Sequence, residues 1–418
     1  MSTTQREHEL FHWPIITQED EQAVLDVMRA GTMSDIEITR QFEKEWGQYQ
    51  GTKYNLAHCN GTCSVLSAMY GVGVGRGDEV IAPSLVYWGA VTQAFVLGAT
   101  LVFADIDPKT LCIDPNDIEK RITKRTKAIV VIHHYGHPAD MDEIMAIARR
   151  HGVKMIEDVS HAQGSLYKGK MCGSIGYVAG IAMMGGKSFT VGEGGMLSTN
   201  DRGIYERAVA LCHYERTMTD ITDPQLRSVV AADGFKTGLP LLGIKGRMNQ
   251  MCAAMGRVQL KHYQTRIEEI QRAMTRFWDL LEGVPGLRAH RPPKNSGSTM
   301  GGWYNPVGHY LPEELGGLPV EKFIESVNAA GCNGRCIAGV NFPLHLHPVL
   351  NTADAFNDGK PTRLAFAQRD VREAVGSLPV SESLSERAFG VPWFKRDWPE
   401  KIEQYANAFR KVCLAASR

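Results

Sequence analysis

The sequence has no excess of charge of either sign: its 418 residues carry 46 lysines plus arginines against 46 aspartates plus glutamates. No overall field therefore draws the chain to nucleic acid or to an anionic membrane. It has no uninterrupted apolar stretch near the ~20 residues needed to cross a bilayer, and residues 1–12 are polar and charged with no apolar h-region behind them. These absences predict a soluble cytoplasmic protein with neither nucleic-acid nor membrane partners. Cysteine is present but not as a framework: the nine, at 59, 63, 112, 172, 212, 252, 332, 336 and 413, are odd in number and scattered, which suits reduced thiols. Cys59 with Cys63 and Cys332 with Cys336 are spaced as pairs, yet no second Cys or His pair stands at zinc-finger spacing from either, so no metal is expected. Repeats and low-complexity tracts are missing too. What is there is ordinary globular composition, 43% hydrophobic and 22% charged, in a chain long enough for a large α/β domain and a smaller appendage.

Start and stop signals appear early. Thr17 with Glu19 and Asp20 forms an N-terminal cap, Val24, Leu25, Val27 and Met28 supply an apolar face, and Gly31 ends the helix. From 55 to 200 short apolar runs alternate with helical patterns, as in EVIAPS (79–84), ATLVFADID (99–107), AIVVIHH (128–134) and VKMIEDVS (153–160). This alternation predicts an α/β fold, a mostly parallel sheet between two helical layers. Before VKMIEDVS, Met141, Ile144, Met145, Ile147 and Ala148 fall on one side of a helix that Gly152 closes. The strand then delivers Glu157, Asp158 and His161 at its carboxyl end, the edge where open α/β sheets bind ligands. A long helix from about Arg247 to Leu281 is expected to join this large domain, residues 1–275, to a smaller α+β domain, residues 276–418. In the latter the Pro- and Gly-rich stretch 284–319 reads as loops, and 320–330, 363–376 and 398–416 read as helices.

Four segments carry candidate chemistry. GGKSFTVGEGGM (185–196) sets Lys187 among glycines, where backbone must approach something closely. A lysine whose pKa is lowered is an amine nucleophile, and imine formation with an aldehyde cofactor is the commonest such use; a surface lysine in a glycine-rich turn fits the same letters. IEDVSHAQG (156–164) places Asp158 at a strand end, twenty-nine positions before Lys187. A pyridoxal-phosphate (PLP) ring stabilises a carbanion only while its pyridine nitrogen stays protonated, and a neighbouring carboxylate favours that charge; a helix cap or a surface salt bridge is the plainer use of an aspartate. His161 suits a contact with the cofactor's phenolic oxygen, or a purely structural hydrogen bond. HCNGTCSVLSAM (58–69) ends a strand at Asn60 and Gly61 and begins a helix at Thr62. Free amides and a positive dipole make that start a phosphate seat, with Gly61 and Thr62 as its donors, unless it is an ordinary capped helix. APSLVYWGA (82–90) puts Tyr87 and Trp88 after another strand, an aromatic face for a flat pyridine ring, with core packing expected for one of the two.

Phosphate seat, stacking ring, acidic partner and lysine follow one another at successive strand ends. In that order the segments resemble the sugar aminotransferases of the DegT/DnrJ/EryC1/StrS family, within the aspartate-aminotransferase-like (fold type I) PLP enzymes. Nearly the whole chain takes part: TRQFEKEW (39–46), GVGRGDEVIAPSL (73–85), ADIDPKTLCID (104–114), HYGHPADMD (134–142), VGEGGM (191–196), GRMNQMCAAMGRVQL (246–260) and PLHLHP (343–348). The resemblance implies a homodimer in which each active site receives residues from the partner subunit. It implies that Lys187 carries PLP as a Schiff base, that Asp158 pairs with the pyridine nitrogen and that Tyr87 stacks on the ring. It further implies that His161 meets the phenolic oxygen and that Gly61 and Thr62 donate to the phosphate. Two positions depart from the family's pattern. The usual phosphate-binding serine five residues before the lysine is Ala182, and the usual asparagine reaching the phosphate from the other subunit is Lys245. Lys245 is expected to replace it in trans, as a point charge on the phosphate.

The implied reaction moves an amino group from L-glutamate or L-glutamine to a keto-sugar or keto-cyclitol. A lysine-lacking dehydratase branch of the family is disfavoured by Lys187, whereas an aminohydroxybenzoate-synthase branch stays open. A dehydrogenase read from GVGVGRG (71–77) fails because that run follows a helix and precedes a strand, the reverse of the dinucleotide fingerprint. A non-catalytic regulator would leave Lys187 and Asp158 together without purpose. Trp13, His345, His347 and Trp393 are candidates for acceptor recognition that sequence does not assign to a place.

Overall fold

In a computed structural model, which describes residues 3–230 and 238–417, twelve strands form three sheets. They are β1 (Tyr54–His58), β2 (Glu79–Pro83), β3 (Thr100–Ala104), β4 (Thr126–Ile132), β5 (Lys154–Asp158), β6 (Leu166–Tyr167), β7 (Lys170–Met171), β8 (Val178–Ala182), β9 (Gly195–Thr199), β10 (Leu287–Ala289), β11 (Val307–Tyr310) and β12 (Ala388–Gly390). The central seven-stranded sheet has the order β1-β9-β8-β5-β4-β2-β3. Neighbours run parallel from β8 to β3, and β9 alone is reversed, pairing antiparallel with both β1 and β8. Strands covered on both faces must be apolar along their whole length, and β2, β3 and β9 are buried at every position.

The helix Gly61–Gly71 lies hard against β8. A Cβ on Gly61 would stand 2.3 Å from the Ala182 methyl, and one on Gly180 would meet Val65 at 2.8 Å. Only glycine permits that approach. It brings the helix start to the sheet edge where Asp158 ends β5 and Ala182 ends β8.

A helix not anticipated from the sequence, Thr3–Phe11, comes first, and the expected one spans Gln18–Ala30, with a Thr17–Asp20 capping box and a left-handed Gly31 at its end. Of its expected apolar face only Val27 is buried, while Leu25 and Met28 are 40% and 51% exposed. The Met141–His151 helix buries all five expected residues and closes at Gly152.

The long helix is Gln250–Leu280, starting three residues later than expected because the Asn249 side chain accepts the Cys252 amide and sets the boundary. Its first half packs Ala253, Tyr263 and Ile267 against the large sheet's core. Its second half packs Ile270, Phe277 and Trp278 into a separate core with Tyr310, Phe323, Phe389 and Phe409. The expected boundary at residue 275 thus falls inside this helix.

The antiparallel sheet β10-β11-β12 forms the floor of that second core, covered by the helices Val320–Val327 and Pro399–Ala416. Two expectations are corrected here. The stretch 284–319 is not loop throughout, since it contains β10 and β11. Residues 363–376 are not a helix: a single 3-10 turn, Thr362–Leu364, opens an irregular strap along the outer edge of β3. Arg363 Nε donates to the Leu101 carbonyl at 3.2 Å, and the Phe103 amide donates to Glu373 at 3.1 Å, with Arg363 and Glu373 paired to each other. An edge strand with free backbone groups needs such cover, and satisfying it outweighs the helical pattern. The helix lies just beyond, at Pro379–Arg387.

Candidate active site

One cavity of about 510 Å³ opens at the carboxyl edge of the parallel strands, and Gly61, Thr62, Tyr87, Asp158, His161 and Lys187 all line it. All four candidate segments, far apart in sequence, therefore meet in one place.

Lys187 sits in the turn after β8 and is held by its backbone from two sides. Its amide donates to the Met184 carbonyl at 2.9 Å, and its carbonyl accepts the Trp13 indole N–H at 2.8 Å. The next residue anchors the turn: Ser188 Oγ donates to Gln163 at 2.7 Å, and the Gln163 amide nitrogen donates to the Ala182 carbonyl at 2.7 Å. The Lys187 side chain is 7% exposed. Burial lowers its pKa from 10.5 to about 8, against a smaller opposing pull from Asp158. At pH 7 about a tenth of this amine is unprotonated, far more than for a lysine at its ordinary pKa.

Alternation along β5 separates two adjacent carboxylates. Glu157 is structural, accepting the Gly173, Ile175 and Gly176 amides at 2.6, 2.9 and 2.6 Å and pairing with His133 at 2.9 Å. Asp158 lines the cavity, its Oδ1 held by the Ser160 amide at 2.8 Å. Burial raises its pKa, while the Ser160 hydrogen bonds and the Lys187 charge act against that. No ion pair among the described residues holds this carboxylate, and a cation placed before it would favour its charged form.

The Nδ1 of His161 accepts the Tyr135 amide at 3.3 Å. Burial, then the charges of Lys187 and His134, push its pKa well below 6.5. The ring is therefore neutral with its proton on Nε2, a hydrogen-bond donor.

At the helix start, Asn60 adopts the extended capping conformation and its side chain accepts the Cys63 amide at 2.8 Å. The Gly61 and Thr62 amides precede that capped position, in the first turn where helix geometry supplies no carbonyl. Ala182 offers a methyl where a serine was the expected pattern, but Ser160 brings a hydroxyl to the same spot, accepting the Ala182 amide at 2.9 Å.

Tyr87 and Trp88 are 52% and 51% exposed, so neither packs in the core as one of them was expected to. The core position is filled by Val86 instead. Tyr87 lines the cavity, over Gly89, where a Cβ would meet the ring at 2.6 Å.

Lys245 is not brought to this cavity within one chain. It is exposed, with its Nζ 5.9 Å from the Tyr214 ring centroid. Of the four unassigned candidates, Trp13 and Trp393 stand beside the site with ring centroids 6.3 Å apart, and Trp393 meets Tyr304 edge-on at 5.7 Å. His345 is buried between Ser84 and Glu382, and His347 caps a short helix, so both are structural.

Sequence reasoning missed Ser160, Glu193, Tyr304, Asn305 and Asn341, which also line the cavity. Tyr304 places its ring 4.0 Å from the Lys187 Nζ and 4.6 Å from the His161 ring. The signal for it was the aromatic pair in MGGWYN, inside a stretch read only as loop.

The model of the DegT/DnrJ/EryC1/StrS aminotransferase family matches residues 14–404. GDP-perosamine synthase of Caulobacter vibrioides is 35% identical over 377 residues, covering 87% of this chain and 96% of that protein. L-glutamine:scyllo-inosose aminotransferase of Streptomyces griseus is 32% identical over 374 residues, covering 89% of this chain and 85% of that one. Among solved structures, an aminotransferase from Psychrobacter cryohalolentis superposes with a TM-score of 0.82 at 27% identity, covering 98% of this chain and 100% of that chain. No helix among the described residues is long and apolar enough to cross a membrane.

Proposed function

This chain belongs to the DegT/DnrJ/EryC1/StrS aminotransferase family, and from that premise we propose that it moves the amino group of L-glutamine or L-glutamate to a keto-sugar or keto-cyclitol, using PLP held around Lys187. One observation carries the reading: a buried lysine whose amine is half-neutral at about pH 8 shares a cavity with a buried carboxylate and an open helix N-terminus. The names of the two relatives, a perosamine synthase and an inosose aminotransferase, support a sugar or cyclitol ring as acceptor.

The residues present fit the cofactor. Asp158 is a buried, cavity-lining carboxylate with no ion-pair partner among the described residues, which suits a pyridinium nitrogen. The Gly61 and Thr62 amides and the dipole of their helix suit a phosphate. Tyr87 offers an aromatic face and His161 an Nε2–H donor to a phenolic oxygen. When bound, PLP supplies the aldehyde that captures the donor amine and the electron sink for the bond broken next to it.

The chain's own residues do the rest. Lys187, as free amine, takes the proton from the substrate carbon and returns it, which requires a pKa near the working pH. The Trp13 indole and the Met184 carbonyl fix the lysine's backbone so that its amine returns to one place. Asp158 keeps a proton on the ring nitrogen. Tyr304 covers the amine on one side, with Trp393 packed edge-on against Tyr304.

Two copies are expected to share each site. Leu25 and Met28 leave an apolar face uncovered in one chain, and the exposed Lys245 has no access to its own cavity. Two half-reactions test the function. PLP-loaded protein mixed with L-glutamine or L-glutamate should lose its yellow absorbance, and a keto-inositol or a nucleoside-diphosphate keto-sugar should restore it. Loss without restoration by either acceptor class would overturn the proposed acceptor.

A further inference from the structure

A second cluster of chemically able side chains lies beneath the start of the Gly61–Gly71 helix, outside the cavity. His58 ends β1, Cys63 stands in the helix's first turn, and Cys212 ends the Arg202–Cys212 helix. All three are buried, and their ligand atoms lie within 4.8 Å of one another. His58 Nδ1 is 3.9 Å from Cys212 Sγ, while its Nε2 makes no hydrogen bond among the described residues. His213 meets the His58 ring edge-on at 5.0 Å between centroids. It too is fully buried, and neither of its nitrogens makes a hydrogen bond among the described residues, although Nδ1 stands 3.4 Å from Glu215.

Buried polar atoms left without partners are rare, because desolvation is then uncompensated. Three unmet imidazole nitrogens beside two thiols call for an occupant, although the surroundings also hold the Ser67 hydroxyl, 3.3 Å from Cys212 Sγ, and the buried Arg216–Glu43 pair. We propose that His58, Cys63 and Cys212 bind a structural Zn²⁺ ion, with His213 as the nearest further donor. Sulfur and imidazole together select a soft to borderline cation, and two thiolates with a neutral imidazole cancel its double charge, so the filled site brings no net charge into the core. Binding releases the two thiol protons to solvent. Gly246 closes the site from the other side, since a Cβ there would fall 2.5 Å from Cys63 Sγ and 3.1 Å from Cys212 Sγ. The ion would thereby tie the end of β1 to two helix ends at one point. Nothing in this inference depends on the aminotransferase reading.

The test is the full chain expressed in zinc-supplemented and, separately, cobalt-supplemented medium, then purified under reduction without chelator. About one zinc per chain is expected by mass spectrometry of the element. The cobalt form should show thiolate-to-metal charge transfer in the near ultraviolet together with the visible bands of tetrahedral coordination. Cys63→Ser and Cys212→Ser should each lose most of the metal, while Cys252→Ser, whose sulfur bonds Asn249 instead, keeps it. Should the two serine variants fail to fold, the cobalt spectrum of the unsubstituted chain decides. Zinc far below stoichiometry with no charge-transfer band would overturn the proposal, and so would a Cys63–Cys212 disulfide in metal-free protein.

Discussion

The amine of Lys187 stands over the face of Tyr304, its Nζ 4.0 Å from the ring centroid. Burial disfavours the ammonium and outweighs the opposing Asp158 charge, leaving the pKa at about 8, and the ring's negative face adds a further pull toward the ammonium. Below that value the lysine is mostly charged and cannot take a proton, so the rate of the donor half-reaction should rise with pH through about 8 and then level. Replacing Tyr304 with leucine keeps apolar volume but removes the attraction, worth about 0.5 to 2 kcal/mol. The rising limb of Tyr304→Leu should therefore move to lower pH, by roughly 0.4 to 1.5 pH units. Single-turnover rates across pH measure this, and a limb that stays put or moves up would separate Tyr304 from the amine.

Holding a lysine at about 8 instead of 10.5 costs stability. The unfolded chain keeps its ammonium up to about pH 10.4, so below pH 8 both states are charged and the folded one bears the full cost, on the order of 3 kcal/mol. Between the two values the folded lysine loses its proton first and the cost fades. PLP-free Lys187→Met should thus be more stable than the unsubstituted chain by about 3 kcal/mol at pH 7, and the gain should shrink toward pH 10.5. Urea unfolding at the two pH values checks it; equal or lower stability at pH 7 would mean that the amine is not desolvated.

Asp158 and Glu157 are neighbours with opposite assignments, and substitution distinguishes them. Asp158→Asn removes the charge that holds a proton on the cofactor ring, and kcat should fall on the order of 10²–10³-fold, as for other lost electrostatic stabilisers. Donor KM should change little. Glu157→Gln instead disturbs three backbone hydrogen bonds and the His133 pair, and should lower stability before it lowers kcat. A near-normal kcat in Asp158→Asn would remove the residue from the chemistry.

Much of this site was legible from sequence because each signal was local. The capping box at Thr17, the strand end at Asp158 and the glycines around Lys187 depend on neighbours in the chain, and local rules read them. The strap at 363–376 was misread because its decisive partners, Leu101 and Phe103, lie some 260 residues away. Tyr304 was missed for the same reason: its importance comes from the Lys187 amine and the His161 ring, not from its own segment. Likewise, no spacing rule could join Cys63 to Cys212, since only folding brings a strand end and two helix ends together.

Lys245 and Lys187 are proposed to serve one site from different subunits. Lys245→Ala should weaken PLP retention, raising the dissociation constant by roughly tenfold, which is the loss of about 1.4 kcal/mol from a charge-assisted contact. Lys187→Ala and Lys245→Ala proteins, each impaired alone, should regain activity when unfolded together and refolded, because some mixed dimers hold one site with both lysines. Mixtures no more active than the sum of their parts would place both residues in the same subunit's site or leave Lys245 outside it.

The Lys187 amine and the aldehyde of PLP are proposed to share one covalent bond. Reducing the PLP-loaded protein with borohydride and mapping its peptides reads that bond directly. The expected result is a single pyridoxyl label on the peptide containing Lys187, lost in Lys187→Ala. A label on another lysine, or on none, would contradict the account.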